Sequence, residues 1–210
     1  MLGQKQLPRQ AFVRRNGKDL SVVDKRKQFE QVVLPHLDAA YNLARWLTND
    51  DQDAQDVVQD AYLRAFRFFD GFRGGEGRAW LLTIVRHTCY SWLEKNRPAE
   101  VSTCFDEDAQ AEGGGFDPDM LTAEGGNPEA IALQNAHRRI LNQAIAALPL
   151  GFREVLILRE LEDLSYKEIA RVVDVPVGTV MSRLARARKL LRQSAPLRAL
   201  SGLPAAEVKQ

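Results

Sequence analysis

Little in this chain can carry covalent chemistry. Its 210 residues include two cysteines, Cys89 and Cys104, and three scattered histidines, His36, His87 and His137. Two cysteines are too few for a disulfide framework and agree with a reducing compartment. His87-x-Cys89 with Cys104 matches no structural zinc spacing, so neither a metal nor another cofactor is expected. A buried Cys89 and a Cys104 in a linker are the ordinary alternative. No nucleophile motif or phosphate loop is present, which makes an enzyme the remote reading. No apolar run reaches the length of a membrane span and no signal peptide opens the chain, so the expectation is a cytoplasmic protein without membrane insertion. Sustained alternation of β-branched residues is also missing, which points to an all-α fold.

What is present is charge arranged in blocks. The formal net charge of +1 averages segments of opposite sign. Residues 1–27 hold eight cations against two acids, and residues 99–130 hold nine acids and no cation. Such blocks mark arms and tethers rather than cores. Five segments follow: a mobile basic arm over 1–26, a helical domain over 27–98, an acidic Gly-rich linker over 99–128, a second helical domain over 129–194, and a tail over 195–210. The linker carries Gly113-Gly114-Gly115, Gly125-Gly126 and Pro118. Pro98 should end the first domain's last helix, and Pro149 with Gly151 should break the helix that runs from Glu129 to Leu148. Along that helix Ile131, Ile140, Leu141, Ile145 and Leu148 lie near one face.

The stretch SYKEIARVVDVPVGTVMSRLARARKLLRQ, Ser165 to Gln193, reads as a helix-turn-helix. Asp174, Val175 and Pro176 form the turn, and Pro176 sits where its missing N–H costs nothing. The first helix should pack through Ile169, Ala170 and Val173. On the second, Val177, Val180, Leu184, Ala187 and Leu191 form one stripe at 100° per residue. Arg183, Arg186, Arg188, Lys189 and Arg192 stand on that helix with no acid among them. Thr179, Ser182, Arg183 and Arg186 share a separate arc, short polar residues first and arginines after. A helix in the major groove presents such residues to base edges and phosphates. A helical hairpin with a solvated basic face is the ordinary explanation, but here the cations coincide with the helix-turn-helix spacing.

In the first domain, residues 50–69 form an amphipathic helix with Ala54, Val57, Val58, Ala61 and Ala65 on the apolar side. Asp53, Asp56 and Asp60 share the opposite arc with Arg64 and Arg67. Helix-dipole complementarity and an Asp60–Arg64 pair would explain these acids. The functional reading is that they dock, with Gln59, on a basic surface of a partner. Residues 61–97 then hold eight of the sixteen aromatics and seven cations against three acids. Rings interleaved with cations suit single-stranded nucleic acid, although most of the rings must fill a core. Arg86, Tyr90 and Arg97 share one face of the helix from Arg78 to Arg97, and His87 flanks it. The loop Phe72-Arg73-Gly74-Gly75-Glu76-Gly77 precedes it, suited to wrapping a flipped nucleotide.

The run DAQDVVQDAYLRAFRFFDGFRGGEGRAWLLTIVRHTCYSWLEKNRP resembles region two of the bacterial sigma-70 family. ALPLGFREVLILRELEDLSYKEIARVVDVPVGTVMSRLARARKLLR is similar to its region four. The pair in this order resembles the small extracytoplasmic-function group. The resemblance implies an all-α fold of two small helical domains on a flexible acidic linker, and a factor that recruits core RNA polymerase to promoters and opens DNA. Carried over by position, Asp53, Asp56, Gln59 and Asp60 would face the polymerase. Phe72, Arg73, Arg78, Trp80, Arg86, His87 and Tyr90 would engage the −10 element and its melted strand. Thr179, Ser182, Arg183, Arg186 and Arg188 would read the duplex −35 element. An anti-sigma factor is a further implied partner. Asp174 and Met181 depart from the family, which often has Gly and Lys there. The main alternative is a stand-alone dimeric helix-turn-helix regulator with an N-terminal dimerisation or ligand domain.

Overall fold

The computed structural model describes residues 22–106 and 128–194. Most of the expected basic arm, the glycine-rich part of the linker and the tail lie outside the described residues. Among the described residues every regular element is helical: α1 (Val22–Val33), a 3-10 turn (Leu34–His36), α2 (Leu37–Thr48), α3 (Asp51–Phe68), a 3-10 turn (Phe69–Gly71), α4 (Gly77–Asn96), α5 (Pro98–Ser102), α6 (Pro128–Ala146), α7 (Leu150–Glu160), α8 (Tyr166–Val173) and α9 (Val177–Gln193).

Helix α1 starts before the residue at which the expected first domain begins, because the polar run Asp24 to Gln28 interrupts its apolar period. Lys25 binds Asp70 at 2.7 Å and lies 5.2 Å from the Phe66 ring. Asp70 is largely exposed, and an exposed pair contributes only about 0–1 kcal/mol. Phe29 and Val33 hold the helix instead, each buried and each contributing roughly 1.5–3 kcal/mol. Phe29 meets Tyr62, Phe66 and Phe69 edge-on at 5.2–6.3 Å between centroids.

α2 ends at Asn49, whose φ of 57° takes the left-handed cap that Asn tolerates. The Asp50 side chain then caps α3 by accepting from the Asp53 amide at 2.9 Å. All five residues expected on the apolar stripe of α3 are buried. α4 is buried on most of its circumference, through Ala79, Leu81, Leu82, Ile84, Val85, Thr88, Cys89 and Leu93. It packs on α1, α2 and α3 on one side and on α8 on the other.

The expected linker does not begin as coil. Pro98 opens α5 at a position that needs no N–H, and Ser102 and Thr103 both donate to the Ala99 carbonyl at 2.9 Å. The Cys104 carbonyl accepts from the Gly151 amide at 2.8 Å. Gly151 does not break a helix: it lies in the first turn of α7, where a Cβ would stand 1.8 Å from the Phe105 ring. A side chain at 151 would therefore displace Phe105.

α8 carries a complete capping box, with Ser165 and Glu168 each bonding the other's backbone. Asp174 closes it with φ at 54°, as the turn requires. Ile169, Val172 and Val173 are buried, with Ala170 only partly so. On α9, Val180, Leu184 and Ala187 are buried, but Val177 is 37% exposed. The buried stripe therefore starts at Val180, one turn later than the period suggests. Leu141 likewise points outward at 42% exposure, beside an α6 face that uses Ala144 and Ile145, with Leu148 buried just past the helix end.

The two helical parts are not held apart. One continuous buried cluster runs from Phe29 in α1 through α2–α4 to Leu150, Leu158, Ile169 and Leu184. α7 packs on α2, and α8 on α4.

Candidate nucleic-acid and docking interfaces

On α3, Asp56, Gln59 and Asp60 are exposed. Asp60 forms no ion pair with Arg64, so the helix-internal explanation for that acid does not hold. Asp53 is different. Its Oδ2 accepts from Arg97 at 3.0 Å, and burial, with Asp50 nearby, lifts its carboxyl above the usual range against the pull of Arg97. Three of the four expected docking residues thus face outward together, and the fourth ties α3 to the end of α4. Gln59 also lines a groove between α2 and α3 with Leu37, Tyr41, Val58 and Tyr62. Burial, with Asp38 nearby, pushes the Tyr62 hydroxyl up to about 12, so it stays a neutral donor there. Leu34, Leu37 and Leu63 stand exposed at 45–53%. Sequence reasoning missed these apolar residues, although Leu63 lies visibly off the core stripe of α3.

Phe72 and Trp80 do not face solvent as a stacking platform. They form a ring cluster with Phe69, at centroid separations of 5.1–6.1 Å, and are half-buried. Arg73 is exposed in the loop between them, next to Gly74 and Gly75 at φ 83° and 112°, a backbone that side-chain-bearing residues rarely adopt.

The helical −10 candidates meet the second helical part. Arg86 Nε donates to Glu154 Oε1, Tyr90 Oη donates to Glu154 Oε2 at 3.2 Å, and the Arg86 guanidinium lies 4.5 Å from the Tyr90 ring centre. Burial works against the Arg86 charge, but Glu154 and Tyr90 together outweigh it and raise its pKa. Burial also lifts the Glu154 carboxyl, against the pull of Arg86 and Tyr90. Arg78 donates to Glu162, which also accepts from Asn42 at 3.4 Å. His87 is half-buried with Nδ1 unmatched, and burial, with Arg86 beside it, lowers its pKa.

On α9, Ser182 and Arg186 are exposed and Thr179 is half-buried. Arg183 lies 4.1 Å from the centre of the Phe105 ring, and Arg188 pairs with Glu160 at 2.6 Å. Gly178, Met181, Ala185 and Lys189 complete the outward face, with Met181 53% exposed. The expected −35 set is therefore split. Ser182 and Arg186 face outward, Thr179 lies at the edge, and two arginines are engaged by the chain's own Phe105 and Glu160.

Sigma-70 region 2 matches residues 32–98, and Sigma-70, region 4 matches residues 138–191. The ECF RNA polymerase sigma-E factor of Escherichia coli (strain K12) is 39% identical over 142 residues, which is 66% of this chain and 72% of that protein. The RNA polymerase sigma-H factor of Pseudomonas aeruginosa is 36% identical over 79% of this chain and 85% of its own. Among solved structures, the sigma factor RpoE bound to the anti-sigma factor NepR from Bartonella quintana aligns with a TM-score of 0.61 at 27% identity, covering 82% of this chain and 98% of that one. CnrH in complex with the cytosolic domain of CnrY aligns with a TM-score of 0.56 at 26% identity, over 83% of this chain and 90% of that one. With regions 2 and 4 in the family's order and relatives at this identity over most of their length, the chain belongs to the sigma-70 family and is a sigma factor of the ECF group for transcription initiation.

Proposed function

We propose that the exposed row Asp56, Gln59 and Asp60, with the apolar groove beside it, docks core RNA polymerase in the cytoplasm. In the complex, α4 with the Arg73 loop engages the −10 element and its melted strand, and α9 reads the −35 duplex. The observation that carries this is the pair of exposed α3 acids that form no ion pair among the described residues, in a fold that engages Asp53 and Asp51 internally. Phe72 and Trp80 would shape the loop from within its ring cluster rather than stack on bases. Ser182 and Arg186 are the outward-facing readers, and Arg183 joins them when it leaves Phe105. An anti-sigma factor is a further partner, as for the solved sigma factor RpoE of Bartonella quintana.

Energetics require the larger enzyme. Opening ten base-pair steps costs on the order of 14 kcal/mol at about 1.4 per step. Each stacked base returns only about 1–3 kcal/mol, so one helical domain cannot hold the bubble open. The chain acts by binding, and no catalytic step is assigned to it. The test is a gel shift and run-off transcription on a promoter library, with and without core enzyme. A stand-alone dimeric regulator would bind its duplex without polymerase, an outcome that would replace this reading.

Arg186→Ala supplies the base-level prediction. If Arg186 grips a guanine, the substitution should cost the holoenzyme about 1–3 kcal/mol and relax preference at one −35 position; a phosphate contact would weaken all sequences alike and lower the salt slope by about one. Selection of −35 libraries at two salt concentrations separates the two. Unchanged binding and selection would remove Arg186 from the interface.

A further inference from the structure

Met181 is 53% exposed on α9 and belongs to neither buried cluster among the described residues. Single exposed apolar residues are common, but this one stands on the face that a helix-turn-helix lays in the major groove. At 100° per residue that face divides lengthwise. Ser182 and Arg186 run along one flank with Thr179 at its edge, and Gly178, Met181 and Ala185 run along the other. The second flank is exposed at all three residues and carries no side chain that donates or strongly accepts a hydrogen bond. We propose that Met181 is a specificity-determining residue of the −35 interface and reads the C5-methyl group of a thymine.

In the major groove guanine, adenine and cytosine present hydrogen-bonding atoms alone, and thymine adds a methyl group to its one acceptor. A base edge pressed against the flank of Met181 meets no hydrogen-bonding partner. There a guanine O6 or an exocyclic amino group would lose its water without replacement, which is costly. A methyl group gains by losing its water, so the flank favours thymine and disfavours the other bases together. Methionine suits the task because its thioether chain is long, unbranched and adaptable. Gly178, three residues earlier, has open space where a Cβ would stand, so the backbone can come close to the DNA there. Ser182 fits the same base pair. Its Oγ donates to the Thr179 carbonyl at 2.9 Å, which leaves lone pairs to accept with, and the adenine opposite a thymine offers an amino group. One A·T pair thus satisfies both flanks at Met181 and Ser182. Arg186 and Lys189, exposed further along a helix that holds no acid, supply the cations that position it on phosphates or grip a neighbouring guanine.

This inference rests on the reading of α9 as the −35 helix, and the test separates the two. Holoenzyme of the full chain with core polymerase is bound to the duplex selected from a −35 library. Each thymine of the element is then replaced in turn by deoxyuridine, which pairs alike and lacks only the methyl. One replacement should weaken binding about fourfold, the worth of one buried methyl group. With Met181→Ala or Met181→Gln the same replacement should have no effect. Glutamine keeps the length of the side chain and adds no charge, so its loss of discrimination cannot come from a phosphate contact. Thymine and uracil are compared within each variant, so a change in the variant's own stability cancels. 5-Methylcytosine presents the same methyl from a G·C pair and is read as its own arm. In place of cytosine at that position it should recover about the same factor with the unsubstituted chain and none with Met181→Ala.

A selected element without thymine, or equal binding of the thymine and uracil duplexes at every position, overturns the assignment. Methyl sensitivity that survives both substitutions at Met181 overturns it as well. So does a loss at uracil that 5-methylcytosine does not mirror, since uracil would then act through duplex shape. Arg186→Ala on the same duplexes is the independent arm. If it weakens binding while no thymine is methyl-sensitive, only the role of Met181 falls; if neither Arg186→Ala nor the Met181 variants change binding, the −35 reading of α9 falls with it.

Discussion

Asp56→Arg combined with Asp60→Arg should weaken capture of core RNA polymerase by about tenfold to a hundredfold, through like-charge contact with a basic docking surface. The loss should appear mainly in the association rate and shrink as salt is added, because both acids are exposed and their field is screened within about 8–10 Å at ordinary ionic strength. Among the described residues neither acid forms an ion pair, and both lie beyond the first turn of α3, where the helix dipole is felt most. The thermal midpoint should therefore hardly move, since surface substitutions away from such features stay within about 0.5 kcal/mol. Asp53→Arg makes the contrast. It would set a cation against Arg97, which now joins Asp53, Glu100 and the Thr48 carbonyl, and should lower stability as well as capture. Surface-immobilised core enzyme and a salt series measure all three. Unaltered capture by the double variant would move the docking site off this row and leave the apolar groove between α2 and α3 as the anchor.

What could be read from the residue order was whatever depends on neighbours a few positions away. The α3 stripe and the turn at Asp174 are both set within one or two helical turns, and both were legible. The seam between the two helical parts was not, because its partners lie 64 to 120 positions apart. Two signals pointed to it. Residues 79–93 of α4 are apolar around most of the helix, more than one covered side requires. LGFREVLIL in α7 embeds an Arg-Glu pair in an otherwise apolar run, which is what a buried charged pair looks like before its partners are known. Gly151 misled in the other direction, because a glycine inside a helix reads as a break until the ring that occupies its missing Cβ is seen. The nine acids after Pro98 hid the short helix α5 and the docked Phe105 in the same way. Local composition described the tether while its first turns were already part of the fold.

Phe152→Ala should destabilise the chain by about 3–5 kcal/mol, as truncation of a fully buried ring in a packed cluster does. Phe152 is 1% exposed and packs with Leu148, Leu156 and Ala187, in the cluster that joins α7 to α9. At roughly 2–4 °C per kcal/mol for a chain of this size, the midpoint should fall by about 6–20 °C. The informative comparison is between two probes of one melt. All three tryptophans, Trp46, Trp80 and Trp92, lie in α2 and α4, so their fluorescence reports region 2, whereas circular dichroism reports both parts. If α7 closes on α2 and α4 in solution, the loss at Phe152 must shift the fluorescence midpoint too, because the buried cluster crosses the seam. Leu43→Ala, in the wholly buried centre of α2, should cost about 2–5 kcal/mol and shift both probes by a similar amount. Two separate transitions, with fluorescence unmoved by Phe152→Ala, would mean that regions 2 and 4 fold as independent beads. Coincident shifts would show that the free factor unfolds as one cooperative body, with α4 inside.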